Sequence, residues 1–217
     1  MIMGDGIYLV PYTQETVALL MAWHNTDPWF DDVMSETPGP KSALDIQNIY
    51  NAFLPPKGRL FVGGIKKDEK GTVIPIGIVA FANIDHKNRC AEIYGGIGFE
   101  SEREKGHGNK VIAAAMKWAR EELGIHRIEA WVKSHNKMAV NTLVSCGFVI
   151  ECEMKDKIFQ GGKFKNMTLL ANTGKAEIDV DDFVKYYKDV EDKTVPGHAI
   201  GLLKQFIRWK YQLPSKE

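Results

Sequence analysis

The 217-residue chain has little cysteine: Cys90, Cys146 and Cys152 are odd in number and show no C-x-x-C spacing. That excludes a disulfide framework and a cysteine zinc site, and points to reduced thiols in a reducing compartment. No metal is expected. The chain also lacks an excess of either charge, with 28 Lys plus Arg against 28 Asp plus Glu. Without a general basic field, nucleic acid is not an expected partner. No apolar run approaches about 18 residues, so no membrane-spanning helix is expected. The opening Met-Ile-Met-Gly-Asp-Gly has no basic region followed by an apolar one, and a cytoplasmic protein is expected. Internal repeats and low-complexity tracts are missing too. What is present is core-forming material: 44% hydrophobic residues suffice for one domain of ordinary size with an appendage.

The apolar periodicity predicts a mixed α/β fold. Residues 7–10 read as a short strand broken by Pro11. Thr13 is the expected cap of a helix carrying Val17, Leu19, Leu20 and Trp23, with Glu15 in its first turn. Residues 25–40, with Trp29, Phe30 and Met34, read as a folded loop or short helices. Ser42 opens a further helix bearing Leu44, Ile46, Ile49, Tyr50 and Phe53, closed by Pro55-Pro56. The period then changes to two. Residues 59–65, 73–83 and 90–99 predict consecutive antiparallel strands, joined by the charged turn Lys66-Lys67-Asp68-Glu69-Lys70-Gly71 and by Asp85-His86-Lys87-Asn88. A helix follows with Val111, Ile112, Ala115, Ala119 and Leu123 on one face, ended by Gly124. A strand at 126–133, a short helix at 138–145 and a hairpin turning at Gly161-Gly162 complete a domain expected to span residues 1–172.

Residues 173–217 read as a helical extension. Val180, Phe183, Val184, Tyr187 and Val190 mark one helix, with Asp179, Asp181 and Asp182 at its start. Ile200, Leu203, Phe206 and Ile207 mark a second, with Lys204, Arg208 and Lys210 among its polar positions. This extension is expected to fold back on the core or to build a homodimer contact.

Chemistry concentrates in Arg103-Glu104-Lys105-Gly106-His107-Gly108, an R-x-x-G-x-G turn between a strand-like segment and a helical one. A glycine turn that opens a helix presents unpaired N–H groups, and the helix dipole adds partial positive charge, so the turn suits a pyrophosphate. Gly108 is followed by Asn109-Lys110-Val111 and not by Gly-Lys-Ser/Thr, which excludes a Walker-type loop. The third glycine and the position after a first parallel strand are both missing, which excludes a Rossmann fingerprint.

With these residues the chain resembles the GNAT superfamily of acyl-CoA-dependent N-acyltransferases, whose signature is Q/R-x-x-G-x-G/A after the fourth strand. The preceding run Ala91-Glu92-Ile93-Tyr94-Gly95-Gly96-Ile97-Gly98-Phe99 resembles the family's splayed fourth strand, and Asn136-Lys137-Met138-Ala139 leading to Gly147-Phe148 resembles its second motif. The likeness covers roughly residues 7–171. In layout it is most similar to the branch of ribosomal-protein N-terminal acetyltransferases. It implies a largely antiparallel sheet splayed after the fourth strand and flanked by helices. The implied function is acetyl transfer from acetyl-CoA to a primary amine, either a small molecule or a protein N-terminus, by direct attack in a ternary complex. The competing expectation is a binding or regulatory module that keeps the fold and CoA without turnover.

The resemblance implies that Arg103, Glu104, Lys105, Gly106, His107, Gly108 and Asn109 hold the cofactor pyrophosphate. It places Gly96, Ile97 and Gly98 along pantetheine, with their N–H groups also able to polarise the thioester carbonyl, and Asn136 at pantetheine or a neighbouring loop, or as a helix cap. Glu92, eleven residues before Arg103, matches in position the general-base glutamate of the histone acetyltransferase members. An ammonium has no lone pair, so a carboxylate near the cleft is needed to take its proton. Tyr94, on the same strand face, is expected to line the cleft or donate a proton. Leu143 stands where many members carry a tyrosine acid, which leaves Tyr94, Ser145, water or unassisted departure for the thiolate. His107 is expected to face solvent, Cys146 to pack, and His24 and His135 to serve surface or packing roles. The region from Trp23 to Pro56 and the loop around Gly161 are expected to form the acceptor side.

Overall fold

The computed structural model describes residues 2–4, 6–14, 16–34, 39–51, 53–56, 58–66 and 72–174. Glu15, the charged turn at residues 67–71, the Trp29 side chain and the expected helices beyond residue 174 lie outside the described residues. In chain order the elements are β1 (Ile2–Gly4), β2 (Ile7–Pro11), α1 (Thr16–Thr26), α2 (Pro28–Met34), α3 (Ala43–Asn51), β3 (Arg59–Lys66), β4 (Val73–Asp85) and β5 (Cys90–Ile97). They continue with α4 (His107–Leu123), β6 (Arg127–Lys133), α5 (Lys137–Ser145), β7 (Val149–Gln160) and β8 (Lys163–Asn172).

The strands form one sheet in the order β1-β2-β3-β4-β5-β6-β8-β7. Every neighbouring pair is antiparallel except β5 and β6. The mixed α/β fold expected from the periodicity is therefore present, with two local corrections. Strand β1 was not expected; three residues are too few to show an alternation. Helix α1 begins at Thr16, beyond the start that a Thr13 cap implies, and Thr13 meets it through its carbonyl, which accepts the Thr16 N–H at 3.0 Å.

Alternation along the central strands divides the core in two. Val79, Phe81, Ile93 and Ile97 pack with Val111, Ala115 and Ala119 of α4 and with Val140, Leu143 and Val144 of α5. Ile78 and Ala80 pack on the other face with Leu20, Trp23, Phe30, Ile46 and Tyr50 of α1–α3. The small residues Ala114, Ala115 and Ala119 let α4 lie close to the sheet. At the start of α3, Ser42 N–H donates to Asp45 Oδ2 at 2.8 Å while Asp45 N–H donates to Ser42 Oγ at 3.2 Å, a reciprocal cap.

The feature that positions the site is a short pairing. Strands β5 and β6 match only over Cys90 with Arg127, Ala91 with Ile128 and Glu92 with Glu129. From Ile93 onward the two strands part, as the splayed sheet requires.

Candidate active site

A cavity of about 1620 Å³ follows the splay. Val111, Ile112 and Leu143 line it from the α4–α5 side, and Tyr94, Phe53, Ile49 and Met34 from the α1–α3 side. Of the residues expected at the site, Glu92, Tyr94, Gly96, Ile97 and Asn136 line this space, as do Arg103, Glu104, Gly106, Gly108 and Asn109 from the glycine turn. Gly98, Lys105 and His107 are not part of its wall.

At the turn, Glu104 (φ 59°) and Gly106 (φ 78°) both adopt the left-handed conformation. The first intrahelical bond of α4 runs from Lys110 N–H to Gly106 O at 3.3 Å. The N–H groups of His107, Gly108 and Asn109 precede that bond and converge at the positive end of the helix. A Cβ built on Gly106 meets nothing within 4 Å. The protein therefore does not itself fill the space outside the turn, which fits a bulky anion approaching backbone N–H groups.

Three side chains of the turn are engaged within the protein. Arg103 does not stand free at the mouth: it bonds Asp27 Oδ2 through Nη2 and donates from Nε to Ile97 O at 3.0 Å. Lys105 lies 3.5 Å and His107 Nε2 3.3 Å from Glu102 Oε2, so both turn toward that carboxylate. His107 is thus partly buried rather than solvent-facing, its side chain 20% exposed. The turn offers main chain to a ligand, while its side chains hold the turn. Asn109 follows the same division, since its Nδ2 bonds Ser145 Oγ and ties α4 to α5.

The strand edge needs a similar correction. Gly98 N–H donates to Ile76 O at 2.8 Å, so it is committed to the sheet and is no donor for a thioester. Backbone groups of alternate strand residues point the same way. Gly96 and Tyr94 therefore face β4 with Gly98, while Ile97, Gly95 and Ile93 face the gap. The Arg103 bond to Ile97 O comes from that gap side. A Cβ on Gly98 would lie 2.1 Å from the Trp23 indole, and one on Gly96 3.3 Å from Met34 Sδ and Phe30 Cε2. The absence of side chains at these two positions makes room for the aromatics of α1 and α2.

Glu92 and Tyr94 lie together on the α1–α3 face. The Tyr94 hydroxyl donates to Glu92 Oε2, and Asn83 Nδ2 donates to Oε1 at 2.8 Å. Asn83 reaches the carboxylate because the β4–β5 register shifts between Ala82 and Asp85, with Asn83 at φ 49°. A bulge that re-aims one side chain is an irregularity suited to a reacting centre. Sequence reasoning missed Asn83, since the bulge has no periodic signal.

Leu143 lines the cavity and offers no proton. Ser145 does not replace it: its hydroxyl donates to Thr142 O at 2.7 Å. Asn136 caps α5, its Oδ1 accepting from Ala139 N–H at 3.1 Å. Burial pushes the Cys146 thiol up to about 11, so it is no ready nucleophile at neutral pH.

The α1–α3 side, expected to receive the acceptor, holds a network that the sequence did not announce. His24, expected in a surface or packing role, is 3% exposed and places Nδ1 2.9 Å from Asp31 Oδ1 and Nε2 3.0 Å from the Tyr50 hydroxyl. Lys41 Nζ completes it, 3.2 Å from Asp31 Oδ1. Burial lowers the His24 value and keeps the ring neutral, even though Asp31 pulls the other way. Burial alone would raise Asp31, but bonds from His24, Gly39 and Lys41 outweigh it and hold the carboxyl below its ordinary value. Burial raises Tyr50, which stays protonated. The order is then Tyr50 O–H to His24 Nε2, and His24 Nδ1–H to Asp31. Ring contacts carry the array to the cavity, Tyr50 to Phe53 at 6.2 Å and Phe53 to Tyr94 at 5.0 Å.

Among the described residues no group of three His, Cys, Asp or Glu side chains is placed to hold a metal ion. Among them, no helix is long and apolar enough to cross a membrane.

A splayed sheet with a glycine turn opening a helix at its gap defines an acyl-CoA transferase architecture. The sequence profile described as the Acetyltransferase (GNAT) family matches residues 20–148, and the chain belongs to that family. It is an acyltransferase, an N-acetyltransferase of the GNAT type. The spermidine N-acetyltransferase of Vibrio cholerae, solved with CoA and spermine, superposes with a TM-score of 0.66 at 20% identity, covering 78% of this chain and 96% of its own. A dodecameric structure of the spermidine N-acetyltransferase from Vibrio cholerae, in an intermediate state, gives a TM-score of 0.62 at 20% identity, covering 81% and 98%. At these identities the likeness carries the fold. Among the curated proteins compared, none matches the sequence.

Proposed function

We propose that the protein transfers an acetyl group from acetyl-CoA to a primary amine by direct attack within a ternary complex. The observation that carries this is one cavity with two different ends: a helix N-terminus that suits a pyrophosphate, and a carboxylate held by Asn83 and Tyr94. Acetyl-CoA supplies an activated thioester. The N–H groups of residues 107–109 bind its pyrophosphate, and the gap-facing backbone of Gly95 and Ile97 aligns pantetheine. Glu92 takes the proton that the attacking nitrogen must lose. Asn83 and Tyr94 hold its carboxylate in one orientation. With leucine at position 143 and Ser145 engaged, the thiolate leaves without a protein acid, which the low basicity of a thiol (pKa about 8.5) permits.

Residues 1–172 form the transferase unit in this reading, and residues 173–217 a helical extension able to build a homodimer contact. The absence of cysteine pairing supports a reducing, cytoplasmic setting. The acceptor is a small amine or a protein N-terminus; the spermidine enzymes of like fold support the small amine.

Thiol release from acetyl-CoA, measured across protein N-termini, polyamines, aminoglycosides and amino sugars, tests the reading. Glu92→Gln is expected to lower kcat at neutral pH by about 100- to 1000-fold with acetyl-CoA binding unchanged. Turnover equal to the parent's would remove Glu92 from the chemistry.

A further inference from the structure

We propose that the acceptor carries an oxyanion at the end remote from its reacting amine, received by Gln160, Lys133 and Lys157. The proposal rests on the acetyltransferase reading of the same cavity. It begins from a buried donor. Gln160, the last residue of β7, is 5% exposed and lines the cavity. Its Oε1 accepts from Lys133 Nζ at 2.7 Å and from Lys165 Nζ at 3.2 Å, which settles which end of the amide is oxygen. Its Nε2 is buried and has no hydrogen-bond partner among the described residues. A buried N–H without an acceptor is costly and rare. The partner it lacks is an oxygen, and the ammonium groups beside it favour an oxygen with negative charge.

The position suits the far end of an acceptor. Ile128, Ala130 and Val132 pack against the α4–α5 core, so Glu129, Trp131 and Lys133 alternate to the face that carries Glu92 and Tyr94. Glu129 stands beside Glu92 in the parallel pair. Lys133 lies four residues further along β6, about 13 Å at 3.3 Å per residue, and side chains from both ends shorten that span to small-molecule length. Trp131 and Met167 line the cavity between them. Lys157 adds a second cation to the wall. Among the described residues lining the cavity, the carboxylates are Glu92 and Glu104. The first is at the reacting end and the second in the glycine turn. Near Gln160 the charged side chains of the described wall are Lys133 and Lys157, which disfavour a polyamine's second ammonium.

The oxyanion can be a carboxylate or a phosphate ester, and two matched pairs separate them. Free lysine and cadaverine differ by a carboxylate, glucosamine 6-phosphate and glucosamine by a phosphate. With the full chain and acetyl-CoA, the anionic member of at least one pair is expected to show a kcat/KM about tenfold or more above its partner. Gln160→Leu and Lys133→Met are each expected to bring that ratio toward one with the KM for acetyl-CoA unchanged. Equal or reversed ratios in both pairs overturn the proposal. A raised KM for acetyl-CoA in either variant also overturns it, because these side chains would then serve the cofactor's phosphates. Calorimetric titration of the four compounds into the CoA-loaded protein separates two failures. Discriminating binding without turnover counts against acetyl transfer and leaves the subsite standing, whereas equal binding within both pairs removes the subsite. If a variant does not fold, the parent's ratios and affinities decide alone.

Discussion

The proposed donor end and the proposed acceptor wall of the cavity meet at Glu92 and are made of opposite materials. The donor end is main chain from one continuous stretch: N–H groups at residues 107–109, gap-facing backbone at Gly95 and Ile97, and left-handed turns at Glu104 and Gly106. Its side chains face away from the ligand space or brace the turn, as Arg103, Lys105 and His107 do. The proposed acceptor wall is side chain gathered from α2, α3, Phe53 and the β7–β8 hairpin, with Asp31, His24 and Tyr50 linked in series behind Phe53. In the proposed reading a backbone site binds what every acyl-CoA shares. A side-chain site can differ from one enzyme to the next without disturbing the first.

The strongest way to break that contrast is at the turn. Gly106→Asp puts a carboxylate into the open space beside the helix terminus and forces a non-glycine residue to φ 78°. CoA affinity is expected to fall by about 100-fold or more, equivalent to about 2.7 kcal/mol, as read by calorimetry. Gly106→Ala isolates the backbone cost, since its Cβ would touch nothing; it is expected to cost about 1–2 kcal/mol of stability with a smaller loss of affinity. Equal affinity in the parent and the Asp variant would show that the pyrophosphate lies elsewhere.

Gly98 gives a sharper test because it follows β5 directly yet packs against Trp23 of α1. Gly98→Ala drives a methyl into the Trp23 ring and is expected to destabilise the fold by about 1–3 kcal/mol. Trp23→Leu is also destabilising, because it empties a buried site. Combining them is expected to cost less than the sum of the two, since each relieves the other. Strict additivity in denaturant unfolding would mean that the two positions do not meet.

The same contrast explains what was legible in the sequence. The glycine turn, the helix it opens and the meander before it are local, so spacing and periodicity expose them, and the family likeness places Glu92 and Asn136 on the cavity. Whatever depends on contact between distant segments was hidden. No spacing links His24 to Asp31 and Tyr50, which lie on three helices brought together by packing. Asn83 reaches Glu92 through a register shift, and the amide of Gln160 is oriented by two lysines that converge on its oxygen from other strands. The Arg103 pairing was hidden for the same reason, because its partner Asp27 is 76 residues away in sequence. In these cases the residue types were visible and the partners were not.

The buried series behind the proposed acceptor wall gives the smallest expected effect and one with a definite sign. His24 has a folded-state value below the ordinary histidine value, so as pH falls below about 6.5 the unfolded chain takes a proton that the folded ring refuses. Stability therefore declines from about pH 6.5 down to the folded value and then levels, with a slope of at most about 1.4 kcal/mol per pH unit. Asp31, held below the ordinary carboxylate value, acts lower: its contribution is present above about pH 3.9 and is lost as pH falls through its folded value. Between pH 7.5 and 5.5 the histidine is the member that responds. Tm is expected to fall over that interval, and hydrogen exchange to quicken in α1–α3 before α4. His24→Leu is expected to cost about 1–3 kcal/mol at pH 7.5, because the Tyr50 hydroxyl loses its acceptor, and to flatten the decline. A slope unchanged by the substitution would place the pH response outside this wall.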